Sequence, residues 1–216
     1  MTLEALERRR LGALIWREKR AEAPGKEPLL RAIAAFLRRH GLDMLEFPPA
    51  LEALRARLQF VRRHEPDGGW PDWSESGILA GIEGILDGFL PERFSKNILK
   101  QIDFQAALKA QLTYDRRRRL DELAPEQLTL ANGRSFRIDY SAENPVMAAK
   151  LQWFFGVRSH PALLHGQVPL TVQLLSPAGR PVQITTDLPG FWGGSYKLVR
   201  HELRGRYPKH DWPENP

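Results

Sequence analysis

The 216 residues carry 42% hydrophobic and 27% charged side chains, the balance of a globular chain with room for one large domain or two small ones. The absence of cysteine excludes disulfides, thiolate catalysis and cysteine-ligated zinc. No apolar run approaches the ~18–20 residues that a membrane span needs, so no membrane partner is expected. The formal net charge is +6, and all of the excess lies in the first third: residues 1–64 hold 14 Lys/Arg against 8 Asp/Glu, whereas residues 65–216 hold 18 of each. A basic excess suits a polyanion such as RNA; solvated helix faces account for it as well. The opening MTLEALERRR is charged and lacks a signal-peptide core, so the expected location is the cytoplasm.

Residues 8–20 hold a short apolar core (Leu11, Ala13, Leu14, Ile15, Trp16) between charge clusters. It reads as one strand with no adjacent partner, or as a short helix. After a linker with Pro24 and Gly25, Leu29, Ile33 and Phe36/Leu37 repeat at helical spacing, with Gly41 as the stop. A second amphipathic helix follows on Leu51, Leu54, Leu58 and Val61, giving an expected antiparallel pair. Ser74 is a candidate cap for a third helix on Ile78, Ile82, Ile85 and Phe89. Its Gly77, Gly81 and Gly84 are spaced to let another helix approach closely. Asp103 heads a helix with Phe104, Ala107, Leu108 and Leu112, and a last helical set carries the run 116–119 with Leu120 and Leu123 inward.

From residue 127 the period switches. Leu128 and Leu130, Asn132-Gly133, then Phe136, Ile138 and Tyr140 predict a β-hairpin with a type I′ turn. Asn144 and Pro145 read as the start of a helix with Met147, Leu151 and Phe154 on one side and Gly156 at its end. Two strands then alternate, Leu170/Val172/Leu174 and Val182/Ile184, joined by Ser176-Pro177-Ala178-Gly179. Asp187 is placed to cap a turn holding Phe191 and Trp192. Ser195 is placed to cap a helix over 196–204, with Gly205 as its stop. The fold class expected is α+β: a helical region over 27–125, then a small antiparallel sheet of about four strands with two packed helices over 126–216.

The stretch LLSPAGRPVQITTDLPGFW, followed by SYKLVRHELRGRYPKHDWPENP, resembles the C-terminal signature of the HrpB family of bacterial DEAH-box ATP-dependent RNA helicases. The resemblance extends upstream through LRARLQFVRRHEPDGGWPD, RRRRLDELAPEQLTL and GRSFRIDYSAENPVMAAKLQWFFG. It implies a region beyond the two RecA-like motor domains. Residues 1–20 would then match the last strand of an OB-like fold, and 126–216 the family's C-terminal domain. It also implies RNA and the motor domains, in cis or in trans, as partners.

The motor chemistry itself is missing from these residues. A phosphate-binding loop needs G-x-x-x-x-G-K-S/T, and the only Gly-Lys pair, Gly25-Lys26, lacks both the upstream glycine and the hydroxyl. No DEAH string occurs. ATP and Mg²⁺ would therefore belong to the motor domains, and no cofactor is expected on this chain. His201-Glu202 lacks the second histidine of a metalloprotease helix, and His160 and His165 have no third ligand in sight. No catalytic residue and no metal site is expected.

The candidate nucleic-acid contacts are of two kinds. Lys197, Arg200 and Arg204 share one side of the last helix, and Arg206, Tyr207, Lys209 and Trp212 extend that surface with His210. Cations interleaved with flat aromatics bind phosphate and stack on bases. The alternative is a tail laid back on the body, with Tyr207 and Trp212 as anchors. Arg116 and Arg117 open the densest positive run, but four successive helical residues span the whole circumference, so the run cannot face one ligand. A different reading is a protein-interaction module, marked by the aromatics Trp70, Trp73, Trp153, Phe154, Phe155, Phe191 and Trp192.

Overall fold

A computed structural model describes residues 6–11, 13–20, 25–45, 47–92 and 97–216. The chain divides into two compact units, one of residues 1–52 and 71–113 and one of residues 53–70 and 114–216.

The first unit opens with an antiparallel hairpin of β1 (Leu6–Leu11) and β2 (Leu14–Arg20), with an irregularity at Arg9/Arg10. The strand expected to stand alone over 8–20 is thus two strands paired with each other. Charge clusters on both arms hide any period-two alternation, so the backbone pairing left no mark in the pattern. Whether this hairpin belongs to an OB-like fold is a proposal of the family resemblance.

Helix α1 (Lys26–His40) buries Leu29, Ile33 and Leu37 on one stripe. Gly41 N–H closes it on the Leu37 carbonyl at 2.8 Å, and Arg38, Arg39 and His40 complement the dipole of its last turn. The first turn of α2 (Pro49–His64) also belongs here. Helix α3 (Glu75–Leu86) buries Ile78, Ile82, Ile85 and Leu86, each worth ~1.5–3 kcal/mol relative to exposure. Ser74 Oγ accepts the Gly77 N–H at 3.0 Å, the cap that the sequence predicts. Phe89 lies beyond the end of α3, off the expected stripe. Arg38 crosses from α1 and donates to the Leu79 carbonyl at 3.0 Å and to Glu83 at 2.8 Å.

The three glycines of α3 do not pave a helix–helix contact. A Cβ on Gly77 would collide with Asp72, whereas Gly81 and Gly84 have ordinary or open space around them. Gly77 is required by the incoming loop: Asp72 Oδ1 accepts the Ser74 N–H at 2.9 Å and so lies against the first turn. Helices α4 (Ile98–Gln101) and α5 (Phe104–Ala110) complete the unit, with Asp103 accepting the Ala106 N–H at 2.8 Å. Trp73 is fully buried and donates to Gln111 at 2.8 Å.

In the second unit the remainder of α2 brings Leu58, Phe60 and Val61 inward. Helix α6 (Tyr114–Leu123) faces in through Leu120 and Leu123. Arg57 is only 4% exposed. Its guanidinium donates to the Ala124 carbonyl at 2.8 Å, to Glu126 at 3.0 Å and to Asp121. Tyr140 donates to the Pro125 carbonyl at 2.8 Å; burial pushes its phenol well up, and the nearby Arg57 charge offsets part of that.

Strands β3 (Gln127–Thr129) and β4 (Ser135–Arg137) form the expected hairpin by a different turn. Asn132 keeps negative φ, and Gly133 alone turns left-handed at φ 78°. Gly133 N–H reaches the Leu130 carbonyl at 2.9 Å and Leu130 N–H the Arg134 carbonyl at 2.8 Å, a type I turn completed by one left-handed glycine. The Ser176–Arg180 closure repeats this geometry, with Gly179 at φ 79°.

The expected helix after Pro145 is β5 (Val146–Lys150) followed by a 3₁₀ turn, Leu151–Phe154. Met147 and Ala149 point inward and Ala148 outward, the period of a strand. The helix-like spacing of Met147, Leu151 and Phe154 arises because the strand passes into the 3₁₀ turn at Leu151. A small hairpin of β6 (Ala162–Leu163) and β7 (Val168–Pro169) leads to β8 (Thr171–Leu175) and β9 (Pro181–Thr185). The principal sheet runs β5-β8-β9, with β5 parallel and β9 antiparallel to β8. The α+β class holds, but the sheet is mixed and three-stranded, because the extra strand comes from the segment expected to be helical. Met147, Ala149, Val172 and Leu174 fill its inner face. Helices α7 (Leu188–Gly193) and α8 (Tyr196–Arg206) follow. His160 Nδ1 accepts the Leu188 N–H at 3.1 Å, so Nε2 carries the proton that is donated to the Leu170 carbonyl at 2.7 Å. That neutral ring joins the start of α7 to the start of β8.

Asp187 caps α7 as predicted, accepting the Gly190 N–H at 3.0 Å. Ser195 makes no side-chain cap, and Gly205 does not stop α8, which runs to Arg206. The stop is set by Pro208, which forces Tyr207 out of the helical region, to φ −131° and ψ 64°.

Two outcomes check this architecture. Arg57→Met strands the buried Ala124 carbonyl and is expected to cost about 1–3 kcal/mol in urea denaturation. Asp139 accepts the Ser141 N–H at 2.9 Å, which holds its carboxyl below the usual carboxylate range. The stability it contributes is present above the unfolded value of about 4 and is lost as pH falls through the lower folded value. Asp139→Ala is therefore expected to be less stable than the parent at about pH 7, with the gap closing in acid below about pH 3.

Candidate nucleic-acid interface

The C-terminal surface is built on α8, whose Tyr196 and Leu203 face inward. Tyr196 donates to the Pro213 carbonyl at 2.8 Å and meets Phe155, Phe191 and Trp192 edge-on. Burial raises its phenol above the ordinary value. Arg200 Nε donates to the Trp212 carbonyl at 2.8 Å, and its terminal nitrogen reaches Glu214 at 3.2 Å. Trp212 is buried at 6% exposure and donates from Nε1 to the Tyr207 carbonyl at 3.0 Å. Residues 207–214 therefore lie as a strap along α8.

This arrangement separates the residues that the sequence grouped together. Arg200 and Trp212 hold the strap, with their polar atoms bonded to it. Tyr207 is half-buried, with its ring against His210. Arg206 pairs with Glu202 one turn back at 2.9 Å. Lys197, His201 and Arg204 are exposed at spacings of four and three, on one stripe of α8, and Lys209 is exposed on the strap. Among the described residues, Lys197, Arg204 and Lys209 pair with no carboxylate.

The arginine run on α6 disperses as helical geometry requires. Arg116 is half-buried beside Gly69, and Arg119 bonds Glu65 at 2.8 Å with its guanidinium over Trp70. Arg118 lies 3.5 Å from Glu122, and Arg117 is exposed. The run braces the 65–70 loop on one side and meets solvent on the other.

Of the seven aromatics singled out as a possible partner surface, Trp153 alone is exposed, at 38%. Trp70, Trp73, Phe154 and Phe191 are buried, and Phe155 and Trp192 half-buried. Trp153 stacks on Phe136 at 5.8 Å, and Lys150 Nζ stands over its ring at 5.6 Å. The cation over it, Lys150, is missing from the sequence-based set. Its signal, a lysine three residues ahead of a tryptophan, becomes readable only once Phe136 is seen to touch Trp153.

Among the described residues, no group of three or more His, Asp or Glu side chains is placed to hold a metal ion, and no helix is long and apolar enough to cross a membrane.

Comparison with known proteins gives a consistent answer. Residues 86–216, more than half of the chain, match the HrpB_C family, described as ATP-dependent helicase C-terminal. The whole chain is 36% identical to the ATP-dependent RNA helicase HrpB of Escherichia coli K12, covering 27% of that protein. Two crystal structures are similar. One, of the E. coli DExH-box NTPase HrpB, has a TM-score of 0.83 at 36% identity, covering 100% of this chain and 27% of the other. The second, of the E. coli DEAH/RHA helicase HrpB, has a TM-score of 0.70 at 33% identity, covering 98% of this chain and 27% of the other. The chain thus spans about a quarter of the length of the relatives it matches. It belongs to the HrpB family of ATP-dependent helicases and corresponds to their C-terminal region.

Proposed function

We propose that this chain is a non-catalytic accessory region that helps an HrpB-like helicase hold RNA while ATP hydrolysis takes place in motor domains, joined to it in cis or acting in trans. The observation that carries this reading is the stripe Lys197, His201 and Arg204. Among the described residues its two permanent cations pair with no carboxylate, although Arg200 and Arg206 on the same helix do. Cations left unpaired on a rigid helix are available to phosphate at little conformational cost. Lys209 extends that surface along the strap. The cytoplasm is the compartment where such a partner is met.

A protein-recruitment role is the alternative. It needs an exposed aromatic surface free of cations, and the single exposed ring of the seven lies under Lys150. That contact favours nucleic acid over a protein partner.

The purified chain is expected to bind single-stranded RNA with a salt dependence of about −0.7 in log–log slope per phosphate contacted. Lys197→Ala with Arg204→Ala is expected to weaken binding and reduce the slope by about 1.4. An unchanged slope would return both residues to solubility or motor contact. The chain alone is also expected to show no RNA-stimulated ATP hydrolysis. Turnover that co-purifies with it through successive columns overturns the absence of a motor.

A further inference from the structure

We infer that Trp153 is a base-stacking platform for single-stranded RNA, a second point of contact beyond the α8 stripe; this rests on the reading that the region holds RNA. The platform is preorganised. Phe136 stacks on Trp153 at an interplanar angle of 21°, and on the fully buried Phe154 at 5.6 Å and 11°. Asn132 Nδ2 donates to the Trp153 carbonyl at 2.8 Å and to the Phe155 carbonyl at 3.2 Å, which locks the 3₁₀ turn to the hairpin tip. The indole is thus fixed on both its ring and its backbone while 38% of the residue remains in solvent.

Its charge surroundings fit a polyanion. Lys150 covers the ring, and Arg134 is exposed at the tip of the adjoining hairpin. Among the described residues, neither side chain pairs with a carboxylate. An exposed cation–π contact is weaker than stacking of a base on an indole, so an incoming base displaces the flexible Lys150 side chain. The freed ammonium is then available to a phosphate beside the stacked nucleotide. A protein contact over this ring would have to desolvate the Lys150 ammonium, which pairs with no carboxylate among the described residues. Stacking is indifferent to base identity, so this subsite takes single strands without sequence preference.

The test uses the full chain, a uridine oligonucleotide, and the same oligonucleotide with abasic residues, which keeps the charge and removes the bases. The intact strand is expected to bind the parent more tightly than the abasic strand and to quench tryptophan fluorescence. Trp153→Ala is expected to weaken the intact strand about tenfold and leave the abasic strand unchanged, while Trp153→Phe retains most of the difference. A circular-dichroism melt identifies any variant that is unfolded, in which case Lys150→Ala with Arg134→Ala serves in its place and should weaken both strands. Equal loss of both strands in folded Trp153→Ala, or no loss of either, overturns the platform. If the parent binds neither strand, the RNA reading itself fails, and the platform with it.

Discussion

A phenol buried among three other rings has to find an acceptor, and Tyr196 finds it in the backbone of the last residues. Its hydroxyl bond to the Pro213 carbonyl joins α8 to the strap, while Phe155, Phe191 and Trp192 surround its ring. An unpaired hydroxyl in that position would cost about 1–3 kcal/mol. The strap is therefore part of the packing of α7, α8 and the 3₁₀ turn. Trp192 adds a second tie, donating to the Val157 carbonyl at 2.9 Å. Since the strap consumes Arg200 and Trp212, this constraint also decides which cations remain for a ligand.

Electrostatics sort the basic residues into two groups. Arg57, Arg119 and Arg200 each bond backbone carbonyls, carboxylates or both, as planar multi-donor groups do well. Lys197, Arg204 and Lys209 are exposed and find no carboxylate among the described residues. Net charge does not distinguish these groups. The second group is small, and the RNA contact proposed for this region rests on it.

Much of the fold was legible because its signals are local. The stripe of Leu29, Ile33 and Leu37, the caps at Ser74, Asp103 and Asp187, and the turn after Ser176 each depend on residues within a few positions. The errors lie where the signal is nonlocal. β5 owes its strand form to parallel pairing with β8, whose residues lie 25 positions later (Val146 opposite Thr171), and five residues containing two alanines carry no pattern to announce it. Gly77 yields to a loop, not to a helix, and only the path of Asp72 reveals that. At the site, sequence spacing grouped Lys197, Arg200 and Arg204, but the return path of the tail takes Arg200 for the Trp212 carbonyl and leaves Lys197 and Arg204 exposed. The anchoring of Trp212 was foreseen as an alternative; the Trp153 cluster was not, because Phe136 and Trp153 meet only in three dimensions.

The strap also bears on how the polypeptide is monitored in a cell. A nick just after Tyr207 that freed the strap would leave the Tyr196 hydroxyl without its Pro213 acceptor and the Arg200 Nε without its Trp212 acceptor, and would expose the buried Trp212 ring. The newly wetted aromatic lining is the kind of surface that chaperones and proteases recognise. Residues 208–214 thus shield that lining, and a strap released from α8 would bring it into water.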